Sequence, residues 1–101
     1  MSDKLDAAQI DVALSRLPGW AHEDDAIIRS FTVTSFPDAV ALVTRLAFDA
    51  EAADHHPDLR LEYRRLTVRF WTHTAGGVTQ KDVDGALRAD RIVAPFVDPD
   101  R

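Results

Sequence analysis

The hydrophobic period of this chain changes at Pro57. Upstream, apolar residues recur at helical spacing in two adjacent stripes, Phe36, Val40, Val43, Ala47 and Ala50 on one, and Ala39, Leu42, Leu46 and Ala53 on the next. Downstream, Leu59, Leu61 and Tyr63 alternate with Arg60 and Glu62, and after Arg64-Arg65, Leu66, Val68 and Phe70 alternate with Thr67, Arg69 and Trp71. Helical spacing buries one stripe of a helix and a period of two buries one face of a strand, so a long helix must run into two antiparallel strands. Ser35, three residues before Asp38 with Pro37 between, opens the helix in capping-box fashion, and the apolar periodicity carries it to His56. Its two stripes together exceed the roughly 100° that one packing surface needs. The helix is therefore expected either to pack on its own sheet and against a second subunit, or to be buried more deeply by the other helices.

The flanking segments complete the pattern. Asp6 to Leu17 sets Ala7, Ile10, Ala13, Leu14 and Leu17 at the spacing of a one-faced helix and ends in Pro18-Gly19. Trp20 to Glu23 and Ala26 to Val33, joined by Asp24-Asp25, read as a hairpin with Ile27, Phe31 and Val33 on one face beside the exceptional Arg29. Gly76-Gly77 makes a turn, and Thr79-x-x-Asp82 is a second capping box opening a helix through Val83, Ala86 and Leu87. Pro95 and Pro99 mark an irregular tail over 93–101. No repeat or second domain shows, so one domain over 1–101 is expected in the order α-β-β-α-β-β-α.

Composition excludes several functions. A chain of 101 residues can close one core but has an unfavourable surface-to-volume ratio, which oligomerisation would relieve. The absence of cysteine removes disulfides, thiolate catalysis and thiolate metal sites. With a net charge of -5 and no basic run, direct nucleic-acid binding is disfavoured. No apolar run approaches the ~18 residues of a membrane span. Met1 to Asp6 is polar, so no export signal is expected, and a cytoplasmic location follows.

Three of the four histidines, His55, His56 and His73, fall within the helix-strand-strand unit. Imidazole titrates near pH ~6.5, so such a cluster suggests acid-base chemistry. Taken alone, His55-His56-Pro57 reads first as a helix end, because histidine suits the negative pole of the dipole and proline commonly follows a helix C-terminus. Asp54 and Asp58 flank the pair, and Glu51 lies one helical turn before His55, where it is expected to pair with that ring. Adjacent helical residues diverge by about 100°, and neither His-x-x-x-His nor His-Glu-x-x-His occurs, which disfavours a metal site. No Gly-x-Ser-x-Gly elbow exists for serine catalysis. Period-two geometry sets His73 with Trp71 and Arg69 on the face opposite the core. Trp20 and Trp71 are core aromatics or stack on a flat ligand, the core role being the usual one. His22 reads as a surface residue of the first hairpin.

The combined pattern Glu51-x-x-x-His55-His56-Pro57, Tyr63, Thr72-His73, Gly77-Val78-Thr79 and Asp82 resembles the signature of the pterin-4a-carbinolamine dehydratase family, also known as the dimerisation cofactor of a homeodomain transcription factor. Leu17-Pro18-Gly19-Trp20, Ile28-Arg29-x-Phe31 and Ser35-Phe36 are similar to family stretches as well, so the likeness covers roughly residues 5 to 92. It implies an α+β fold, a four-stranded antiparallel sheet with three helices on one face, assembled as a homodimer or homotetramer through helix 36–56. It implies dehydration of 4a-hydroxytetrahydropterin to quinonoid dihydropterin, recycling the pterin for aromatic amino-acid hydroxylation, with no cofactor, metal or prosthetic group. His55 and His73 are then the candidate acids, and His56 serves substrate binding and base assistance. Glu51 orients His55, Asp82 and Thr72 support the site, Trp20 lines the pocket, and Pro57 shapes the turn without doing chemistry. An alternative from the same resemblance is a non-catalytic or dual-role protein-binding or assembly factor. The chain departs from the common pattern at Arg64, where many members carry asparagine, and at Trp71, where a smaller residue is usual.

Overall fold

The computed structural model describes residues 3–98. Asp6 caps the first helix, α1 (Ala7–Leu14), by accepting from Gln9 N while Gln9 Oε1 accepts from Asp6 N, and the helix closes three residues earlier than its apolar pattern suggests. The chain then turns through Leu17 to Gly19, whose φ of +89° suits glycine, and the Arg29 guanidinium packs 2.8 Å from where a Cβ would stand. Strands β1 (Ala21–Glu23) and β2 (Ala26–Thr32) form the expected hairpin across Asp24-Asp25.

Helix α2 (Phe36–Ala53) starts as expected, with the Ser35 hydroxyl accepting from Asp38 N and Pro37 in the first turn. It ends before the histidines. Asp54 takes a left-handed φ of 52°, and the amide of His55 closes back on Ala50 O at 3.1 Å. The expected helical run to His56 is corrected by this reversal, a left-handed helix C-terminus supplied by aspartate in place of glycine. Strands β3 (Asp58–Glu62) and β4 (Arg65–Phe70) follow, then α3 (Gln80–Val93), capped by Thr79 and Asp82. Tyr63, expected on the inner face of β3, instead takes φ +54° in the β3–β4 turn and is exposed.

The sheet runs β1-β2-β4-β3, antiparallel throughout. Registry opposes Ile27 to Phe70, Arg29 to Val68, Phe31 to Leu66 and Leu59 to Val68, so these side chains share one face. Ile10 of α1, Ala39, Leu42 and Leu46 of α2, and Val83, Ala86 and Ala89 of α3 close over that face in one buried cluster, which puts the three helices on one side as expected. Arg29 reaches through this layer to Asp90 at 3.0 Å with its guanidinium 4.4 Å from the Phe31 ring centroid. A Cβ on Gly85 would meet Phe70 at 2.6 Å, so α3 lies close enough to the sheet to require glycine there.

Only part of the apolar surplus on α2 is covered within the chain. Ala39, Leu42, Leu46 and Ala50 are buried, whereas Phe36 is 48% exposed, Val40 45% and Phe48 74%. The segment after Val93 is less irregular than its prolines suggest: Ala94–Phe96 forms a 3-10 turn, Val97 bridges Val33, and Asp98 N donates to Thr32 O at 2.9 Å. Pro99 lies outside the described residues. Among the described residues, no helix is long and apolar enough to cross a membrane.

Candidate active site

The reversal at Asp54 sends the two histidines in different directions. His55 turns inward: its side chain is 11% exposed, Nε2 lies 2.5 Å from Asp82 Oδ1, and its ring stacks on Phe70 with 6.0 Å between centroids and 9° between planes. His56 turns to solvent, 57% exposed, with Nε2 2.8 Å from Oε1 of Glu51, which is 79% exposed. Glu51 was expected one turn below His55 and instead partners His56, because the helix has ended before either ring and i to i+4 geometry no longer applies.

Asp82 is fully buried at the third position of α3. Its Oδ2 accepts from Thr79 N and from Thr72 Oγ1, each at 2.8 Å, and its Oδ1 faces His55. Thr72 spends its proton on Asp82, so at 2.8 Å it accepts from Thr79 Oγ1, which in turn accepts from Lys81 N at 3.3 Å. A buried carboxylate is costly unless donors meet it, and this net gives Asp82 three, one on Oδ1 and two on Oδ2. Since an ionised carboxylate only accepts, His55 presents Nε2–H to it, and Nδ1 is left as the nitrogen that can exchange a proton. Thr72 reaches this position because its N donates to Gly77 O at 2.9 Å, folding the turn back on the end of β4.

His73 opens that turn, exposed, with its ring stacked on Trp71 at 4.0 Å between centroids. An open cleft of about 320 Å³ brings together Asp54, His55, His56, Trp71, His73 and Lys81. Pro57 is half-buried just before β3 and ends the linker that carries the two histidines. Trp20, expected to line the cleft, does not: it is buried in the core, where Nε1 donates to Asp90 Oδ1 at 2.9 Å, and it approaches the site only through Phe70. His22 is exposed in β1, as expected.

Trp71 and Lys81 are the side chains whose place in the cleft sequence reasoning missed. The signal for Trp71 was its period-two relation to His73, and for Lys81 its position beside Asp82 in a capped first turn. Among the described residues no group of three or more histidine or acidic side chains is placed to hold a metal. A groove of about 370 Å³ between α1 and α3 is larger, but its lining, which includes Val12, Leu17 and Leu87, holds no histidine or carboxylate. Of these two, only the histidine cleft is lined by imidazoles.

With this geometry in place, similarity to known proteins becomes informative. A family model described as "Pterin 4 alpha carbinolamine dehydratase" matches residues 3–92. A protein of Roseiflexus sp. (strain RS-1), provisionally named a pterin-4-alpha-carbinolamine dehydratase, is 44% identical over 93 residues, covering 92% of this chain and 100% of the relative. A crystal structure of a "transcriptional coactivator/pterin dehydratase" from Brucella melitensis superposes with a TM-score of 0.85 at 35% identity, over 89% of this chain and 98% of that one. A pterin dehydratase-like protein described as a RuBisCO assembly factor in the alpha-carboxysome matches over 72% of this chain and 84% of its own, with a TM-score of 0.59, and at 18% identity that likeness concerns the fold alone.

Proposed function

The chain belongs to the pterin-4-alpha-carbinolamine dehydratase family, and from that membership and its histidine cleft we propose that it dehydrates 4a-hydroxytetrahydropterin to quinonoid dihydropterin. The observation that carries the reading is His55, held by a buried carboxylate that accepts three hydrogen bonds, at the edge of a cleft it shares with His56 and His73. The reaction breaks the C–O bond at carbon 4a and the N–H bond of the neighbouring ring nitrogen, whose electron pair forms the new C=N bond. Water leaves. Hydroxide is a poor leaving group and must be protonated as it departs while a base removes the N–H proton. His55 through Nδ1, or His73, protonates the hydroxyl on one or other face of the pterin. His56 holds the substrate and assists as base: Glu51 accepts from its Nε2–H, leaving Nδ1 free to take a proton. The step needs proton transfer alone, so neither a metal nor a prosthetic group is required, and the product re-enters the pool of pterin used in aromatic amino-acid hydroxylation.

A second reading is favoured by the apolar side chains that α2 leaves uncovered, Phe36, Val40 and Phe48. They suit association of copies into a dimer or tetramer, and they also suit a protein-binding role such as the Brucella protein's description as a coactivator implies for that protein. A dual role is compatible with the histidine cleft. A partner bound by the His55→Ala, His73→Ala double variant as tightly as by wild type, from a protein with no dehydratase activity, would favour the binding role.

The dehydratase reading is tested by stopped-flow measurement on enzymatically generated 4a-hydroxytetrahydropterin. Wild type accelerates dehydration, and the double variant loses on the order of 10²-fold or more, since each positioned acid or base contributes about 10²- to 10⁴-fold. Equal, negligible acceleration by both proteins sinks the reading.

A further inference from the structure

We propose that Trp71 is the positioning residue of His73, its indole holding an otherwise unsupported imidazole in the orientation that meets the substrate. The inference rests on the dehydratase reading above and gives a role to a residue that the reading itself does not use. The His73 side chain is exposed and makes no hydrogen bond or ion pair among the described residues. Its ring stacks on Trp71, with 4.0 Å between centroids and 27° between planes. Exposed side chains change rotamer within picoseconds to nanoseconds, so without a wall the ring would share its time among several wells. A catalytic group misplaced by a single ångström can lose about 10²-fold in rate.

The wall itself is braced from behind. Asp58 and Arg69 are registry partners on β3 and β4, joined Oδ2 to Nη1 at 3.0 Å, and the Arg69 guanidinium carbon lies 5.5 Å from the centroid of the Trp71 ring. Arg69, Trp71 and His73 follow one another at every second residue, so a single row runs from β3 to the cleft. The polar atoms of the two tryptophans differ tellingly. Trp20 has its N–H on Asp90, whereas the Trp71 N–H is buried with no acceptor among the described residues. Trp20 is thus fixed by its hydrogen bond as well as by packing, whereas the contacts of the Trp71 ring are those of its faces, with Arg69 and His73.

The test combines stopped-flow kinetics with NMR of the histidine rings. Trp71→Leu, which keeps apolar bulk but no ring, should lower kcat about 10- to 100-fold with KM little changed. Trp71→Phe, which restores a stacking face, should recover most of that loss. On a His73→Ala background Trp71→Leu should cost nothing further, because a residue acting through His73 has nothing left to position. In wild type the His73 ring protons, assigned by their loss in His73→Ala, should show an upfield ring-current shift. An unchanged kcat in Trp71→Leu, a rise in KM with kcat retained, or an equal loss with and without His73 would each overturn the inference. So would the absence of the ring-current shift in wild-type protein, a measurement that needs no variant of Trp71 to fold. If wild type itself fails to accelerate dehydration, the dehydratase reading falls and the positioning role falls with it. Active wild type with indifferent Trp71 variants removes the positioning role alone.

Discussion

Two neighbouring histidines in this molecule each sit on a carboxylate, and the two pairs have almost nothing else in common. His55 and Asp82 come from segments 27 residues apart, and at 11% and 0% exposure they are joined inside a net that also includes Thr72 and Thr79. His56 and Glu51 are five residues apart and lie in solvent at 57% and 79% exposure. The contacts are similar in length, 2.5 and 2.8 Å, so distance does not rank them. Burial does. A charge out of water is costly unless every bond to it is made, whereas an exposed pair trades one set of partners for water at little net gain. The same side-chain chemistry thus fastens the fold at one histidine and merely steers a ring at the next.

The largest expected effect is on the buried side. Asp82→Ala removes the acceptor of three donors at once, the His55 ring, the Thr72 hydroxyl and the Thr79 amide, and takes away one half of the helix cap. A loss of about 3–5 kcal/mol is expected from urea unfolding, the usual scale for breaking one partner out of a buried pair. Thr72→Val keeps the shape and deletes one donor to Asp82 and the acceptor for Thr79, so about 1–3 kcal/mol should go. A Thr72→Val protein as stable as wild type would mean that the net is not held by its hydroxyls, and the contrast between the two pairs would weaken.

How much of this was legible in the sequence follows from which residues act locally. Thr79-x-x-Asp82 and Ser35-x-x-Asp38 declare helix starts within four residues, and both are where their spacing puts them. Period two grouped Arg69, Trp71 and His73, and although β4 ends at Phe70 the three side chains do lie in a row, Arg69 beside Trp71 and Trp71 against His73; the full order of elements followed from changes of period. What failed was pairing across a chain reversal. Glu51 to His55 is a sound one-turn neighbour only while the helix lasts, and it ends at Ala53 because Asp54 adopts a left-handed conformation, one that favours glycine but that aspartate tolerates more readily than most residues. Trp20 lies in the core, the usual place for a tryptophan and not the pocket that the resemblance implied; its acceptor, Asp90, is 70 residues away, and no local pattern announces that bond. Asp82 carried a local signal as a cap and a family signal as a site residue, and only three dimensions combine them on one carboxylate.

On the exposed side, Glu51→Gln sharpens the comparison. The amide oxygen can still accept from His56, and exposed ion pairs are worth about 0–1 kcal/mol, so urea stability should stay within that range of wild type. A loss approaching that of Asp82→Ala would erase the distinction between the two pairs.

The finest test uses a second aspartate in the same helical position. Asp38 stands third in α2 as Asp82 stands third in α3, but Asp38 is half-buried where Asp82 is fully buried. Its carboxyl is held below the ordinary aspartate value of 3.8, first by the Thr34 hydroxyl, which donates to Oδ2 at 2.7 Å, and then by Ser35. Because the folded value lies below the unfolded one, the contribution of Asp38 to stability is present above the unfolded value and is lost as pH falls through the folded one. Thr34→Val should raise the Asp38 titration midpoint toward 3.8, read from its carboxyl carbon by NMR, and should shrink this acid-labile contribution. Stability near neutral pH, where that contribution is fully present, should fall slightly, less than for the buried counterpart at Thr72, and the difference from wild type should close as pH falls through the folded value. A midpoint that does not move in Thr34→Val would show that water already supplies what Thr34 offers, and would put an exposed helix cap on the same footing as the exposed pair at His56.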